Sequence, residues 1–164
     1  MTGTEDAIRD GWADIVITHS VPKGHLGEPI AEFHFIAVCH HSHPLAQIEE
    51  PIDPNELLQH LQIVIKDTSS TPNEKQGWLR AESRWTVSQF QTAVDILNQG
   101  LGFCWLPEHW VKNLTCDGDL VKLNIKGSSF RKLTSYLVHP KPDNLGPGSR
   151  LLSDLILQNR QLGK

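Results

Sequence analysis

The segment from Arg84 to Pro107 constrains the fold most, because it sets a helix with a polar start against a short apolar strand through a turn carrying two glycines. Phe90, Ala93, Val94 and Leu97 fall at helical spacing, and Gly100 supplies a left-handed stop. Ser88 stands where a side-chain oxygen can accept from the first exposed amides, and Gln91 stands three residues on, as in a capping box. Such a start carries free amides and partial positive charge, which suit an anionic or polar ligand, typically a carboxylate. A purely structural capped helix is the alternative. Gly102-Phe103-Cys104-Trp105-Leu106-Pro107 then reads as a buried strand.

The rest of the chain alternates strands with helices. A short helix around Glu5 to Arg9 is stopped by Gly11, and Ile15 to Thr18 forms a strand suited to a sheet covered on both faces. Lys23 to Gly27 reads as flexible, Phe33 to Val38 as a strand, and Asp53-Pro54 as the opening of a helix from Asn55 to His60. Leu61 to Lys66 is a further strand, followed by a polar loop from Asp67 to Asn73 and by Trp78, expected to close over the following linker. This order predicts an α/β fold with mainly parallel sheets. In such sheets ligands gather beyond the carboxyl ends of strands. That rule nominates Thr18, His19 and Ser20 after one strand and Lys66, Asp67 and Thr68 after another. It also nominates Thr86, Val87, Ser88 and Gln89 at the helix start, and Phe103 after Gly102. Thr18 and Ser20 have a plainer alternative, which is to satisfy loop backbone. Trp85 and Trp105 read as core residues, and Trp110 as packing beneath the site or in a contact between chains.

Several function classes find no support. Fifteen basic against nineteen acidic residues give a net charge of −4, which does not favour a phosphate backbone. Lys122, Lys126, Arg131 and Lys132 read as a solvated edge that discourages association between sheets. No apolar run approaches a membrane span, and the first twenty residues lack an apolar signal core, so the cytoplasm is the expected compartment. Nucleophile elbow, phosphate loop, dinucleotide fingerprint and HExxH arrangement are all missing, so an enzyme is not expected and no cofactor is called for. Cys39 and Cys104 read as buried apolar residues, and Cys116 makes an odd third with no metal spacing. The run Cys39-His40-His41-Ser42-His43 offers metal-ligating side chains, but successive strand residues point to opposite faces, and no metal site is expected.

Three segments resemble, in order, the effector domain of LysR-type transcriptional regulators. Asp10-Gly11-Trp12-Ala13-Asp14-Ile15-Val16-Ile17 is similar to that family's "x-G-x-x-D-l-x-i" strand, and His41-Ser42-His43-Pro44-Leu45-Ala46 to its "x-x-H-P-L-A" turn. The helix and strand around Gly100 and Gly102 resemble its "v-x-x-G-x-G-x-x-x-L-P" pattern. Leu120 to Leu123, Tyr136 to Val138 and a final amphipathic helix from about Ser149 complete the likeness over nearly the whole chain.

The resemblance implies a periplasmic-binding-protein-like α/β fold of two subdomains joined by two crossover strands. Residues 1–20 would be a remnant of the first subdomain, 21–120 the second with the crossovers, and 121–164 a return to the first. It also implies a cleft between the subdomains, lined by the position of His19 and the residues before the long helix, and filled by a small effector. A homodimer is expected, because the family pairs these domains side by side. The chain opens close to the Asp14 strand, so the expectation is that the winged helix-turn-helix reader of DNA lies outside it and that it makes no nucleic-acid contact itself. The first subdomain would then be incompletely packed unless another chain covers it. The alternatives are a stand-alone solute-binding protein of the same fold and a fragment that only dimerises.

Overall fold

The computed structural model describes residues 3–66, 81–114, 119–127 and 130–162, and these fall into two compact units. Residues 3–33 and 132–162 make the first, and the described parts of 34–66 and 81–131 make the second. The chain passes between them inside two strands, β2 (Gly27–His40) and β7 (Phe130–Val138).

In the first unit, α1 (Gly3–Asp10) ends at Gly11, whose φ of 66° takes the left-handed form that stops a helix. Strand β1 (Val16–Thr18) pairs antiparallel with β7, Val16 opposite Val138 and Thr18 opposite Tyr136. Ile8, Val16 and Val138 form the small core. Ile17 is half exposed, so β1 is covered on one face and not on both as its apolar run implied. Helix α4 (Pro147–Gln158) begins with proline at its first position, where no amide is needed. Its Ser153 hydroxyl, buried, donates back to the Ser149 carbonyl at 2.8 Å. Lys132 pairs with Glu32 at 2.7 Å, an exposed contact worth less than about 1 kcal/mol.

The second unit is built on a five-stranded sheet in the order β6 (Leu120–Lys122), β2, β5 (Phe103–Pro107), β3 (Gln62–Ile65), β4 (Arg84–Val87). Only β3 with β4 and β3 with β5 run parallel; β2 is antiparallel to both β5 and β6. The sheet is therefore mixed and not mainly parallel. Strand β2 reaches β5 by tertiary pairing, which leaves no local mark in sequence.

Strand alternation divides the core in two. Ile36 and Val38 join Cys104, Leu106 and Ile63 under α2 (Phe90–Asn98), which contributes Ala93, Val94 and Leu97. Ala37, Cys39 and Phe103 point the other way, against Leu45, Ile52, Leu57, Leu123 and Ile125. All four residues from Ile36 to Cys39 are at most 4% exposed, as a central strand covered on both faces requires. Burial pushes both the Cys39 and Cys104 thiols up to about 12, so they are protonated, apolar packing groups at neutral pH.

Local differences from the sequence reading have specific causes. The helix expected over 55–60 is a 3-10 turn, Glu56–Gln59, after Asp53 Oδ1 accepts from the Asn55 amide at 2.8 Å. The His43-Pro44 turn opens a second 3-10 segment, Pro44–Gln47, where His43 Nδ1 accepts from the Leu45 amide; burial and neighbouring His60 lower the His43 pKa, consistent with the neutral form this bond needs. Trp85 lies on the outer strand β4 and is 51% exposed, so it is not a core residue. Trp105 is half buried and carries the Arg131 guanidinium 4.7 Å above its ring, which takes Arg131 out of the expected solvated edge. Trp110, on α3 (Glu108–Leu114), packs edge-on against Phe90 at 5.4 Å. Trp78 and Cys116 lie outside the described residues.

Candidate functional site

Because β3 and β4 run parallel, both end on one edge of the sheet, and the Lys66 amide donates to the Val87 carbonyl at 2.7 Å. This bond sets the backbone of Lys66 beside the segment that leads into α2. Thr86, Ser88, Gln89 and Lys66 are exposed and Val87 is half buried. The residue that caps α2 is Gln89, with extended backbone (φ −134°, ψ 147°), and not Ser88. The Gln89 side chain makes no capping hydrogen bond, and the first turn holds no acidic residue. The predicted capping box does not form: Gln91 Nε2 donates along the helix to Asp95 Oδ1 at 3.0 Å. Among the described residues no side chain occupies the amides and positive dipole end of α2, which suit an outside acceptor.

The remaining nominated residues divide. Thr18 is buried, and its hydroxyl donates to the Ser20 carbonyl at 3.0 Å and is 2.9 Å from Thr4 Oγ1, so it shapes the loop that holds His19 and Ser20 half exposed. Asp67 and Thr68 lie outside the described residues. Phe103 has no exposed surface and belongs to the second core cluster, which corrects its assignment to a ligand wall.

The sequence did not signal a concavity of about 300 Å³ in the second unit, bordered by His41, Leu45, Ile48, Ile52, Leu123 and Asn124 among others. Its borders come from the turn after β2 and from β6 with the two residues that follow it. The Ile52 amide donates to the Asn124 carbonyl at 2.7 Å, and no spacing rule connects those positions.

Strands that deliver an open helix start at their carboxyl ends, within a mixed sheet entered and left by two shared strands, define a type 2 periplasmic-binding-like α/β domain. The family is specific. The model of the LysR substrate binding domain matches residues 1–161, and the chain belongs to that family.

The HTH-type transcriptional regulator YeeY of Escherichia coli K12 is 30% identical over 135 residues, covering 75% of this chain and 41% of that protein. The chain spans about two fifths of the length of the curated relatives it matches. Among solved structures, the regulatory domain of CcmR from Synechocystis PCC6803, in complex with 2-PG, aligns with a TM-score of 0.72 at 15% identity over 94% of this chain and 76% of that one. The effector binding domain of QuiR in complex with shikimate aligns at 0.68 and 17% identity, over 94% and 75%. These likenesses establish the fold. Among the described residues, no helix is long and apolar enough to cross a membrane.

Proposed function

We propose that the chain is the effector-sensing part of a LysR-type transcriptional regulator and that it binds a small anionic metabolite. The carrying observation is the start of α2, which among the described residues has neither a side-chain cap nor an acid in its first turn, on the same sheet edge as Lys66. A carboxylate there would accept from first-turn amides and pair with the Lys66 ammonium. The 2-PG and shikimate complexes of CcmR and QuiR support this ligand class. Bound effector would favour one conformation of the domain, and in a whole cytoplasmic regulator that shift would pass through the oligomer to a DNA-binding module elsewhere.

A thermal-shift screen against small organic acids tests the reading. A ligand at a hundred times its Kd should stabilise by about 2.7 kcal/mol. Lys66→Ala, removing an exposed cation, should weaken binding by about tenfold or more with the unliganded midpoint unchanged. Ser88→Ala should leave that midpoint unchanged as well, because Gln89 is the cap. If no acid raises the midpoint, or if a rise survives intact in Lys66→Ala, the site is elsewhere.

Self-association belongs to the same proposal. Leu151, Leu152 and Leu155 on α4 are 62%, 51% and 48% exposed and share one helix face. A second copy of the chain is the expected cover. Light scattering should therefore give a dimer mass that falls to the monomer in Leu151→Glu/Leu155→Glu; a monomer at high concentration without these changes contradicts the dimer.

A further inference from the structure

We infer that His40, His41 and Asp119 form a binding site for a divalent transition metal of the zinc class. One ligand atom from each of the three side chains lies within 4.8 Å of the other two. Zinc binds imidazole nitrogen and carboxylate oxygen at about 2.0–2.2 Å, so its ligands stand up to about 4 Å apart across the ion. Small rotations of His41 and Asp119, both exposed, close that difference.

The backbone beneath the three side chains is already fixed. His40 is the last residue of β2 and pairs with Leu120 at the start of β6, while the His41 amide donates to the Asp119 carbonyl at 2.8 Å. Strand alternation, which sets His40 and His41 on opposite faces of a continuing strand, no longer applies where β2 ends. Their rings approach to 4.2 Å between centroids, tilted by 39°.

The immediate surroundings suit coordination. The Ser42 amide donates to His40 Nδ1 at 3.2 Å and the Ser42 hydroxyl stands 2.6 Å from the same atom, so coordination through Nε2 requires the other tautomer, in which Nδ1–H donates to that hydroxyl in place of accepting from the amide. Two neutral imidazoles and one carboxylate select zinc, copper or nickel over magnesium or calcium, which prefer oxygen donors. Three protein ligands leave a coordination position for water or an added group. His41 also borders the 300 Å³ concavity, so an ion held on it would sit at that rim.

The test uses the purified chain stripped with chelator and dialysed against zinc chloride, with bound metal counted by mass spectrometry and affinity read by competition with a chromophoric chelator. About one equivalent should bind, and magnesium chloride should not compete. His41→Gln and Asp119→Asn, both at exposed positions, should keep the native circular dichroism spectrum and each weaken zinc by about tenfold or more. His109→Gln, exposed and elsewhere on the unit, should bind as the parent does. Failure to bind stoichiometric zinc, or parental affinity in either His41→Gln or Asp119→Asn, overturns the site and assigns any zinc uptake to other histidines among the nine.

Discussion

Gly102→Ala is expected to lose about 3 kcal/mol or more of folding stability, a large share of what a domain of this size holds. Two effects combine at this position. The backbone of Gly102 is left-handed, φ 65°, which costs a residue with a side chain about 1–2 kcal/mol. A Cβ built there would lie 2.4 Å from the Leu61 carbonyl oxygen. That oxygen cannot withdraw freely, because it accepts from the Phe103 amide at 2.9 Å, and this bond sets the register of β5 on β3. Gly127 provides the control. Its φ is 83°, equally left-handed, but nothing lies within 4 Å of a Cβ placed on it, so Gly127→Ala should show the conformational cost alone. Urea unfolding followed by tryptophan fluorescence compares the two variants. Equal losses would show that the approach to Leu61 carries no energy of its own.

The same turn shows what local pattern reveals. The spacing of Phe90, Ala93, Val94 and Leu97 and the stop at Gly100 mark α2 in sequence, and the apolar run from Phe103 marks β5, because these signals depend on neighbours within a few residues. The helix start is displaced by one residue. Ser88 has the better capping chemistry, but the bond from the Lys66 amide to the Val87 carbonyl holds the chain in strand geometry up to that point, and Gln89 makes the turn.

Pairing over longer distances was not legible. Nothing near Phe35 or Pro107 announces that β2 and β5 lie antiparallel, and Trp85, apolar within an apolar element, is exposed on β4, the last of the described strands in the sheet order. The candidate sites divide in the same way. That a polar helix start lies near Ser88 follows from local sequence, whereas its lack of a Ser88 cap does not, and Asp119 meets His40 and His41 only through the β2 and β6 pairing.

Phe103 separates a core role from a ligand role most sharply. A phenylalanine lining a ligand site would, on truncation to alanine, lose binding while the fold remained. Buried without exposed surface, it should instead behave as a core residue, and Phe103→Ala should cost about 3–5 kcal/mol. The upper part of that range is expected. Phe103 lies between two strands, opposite Cys39 on β2 and Gln62 on β3, so the backbone cannot settle into the vacated volume. Leu45, Ile52, Leu57, Leu123 and Ile125 of the same cluster are held by their own turns and strands, and the cavity would persist. Phe103→Leu retains most of the apolar volume and should cost less than about 1.5 kcal/mol. Chemical denaturation of the three proteins orders these losses. If Phe103→Ala unfolds near the parental midpoint, the ring does not hold this core, and the position returns to the candidate ligand wall.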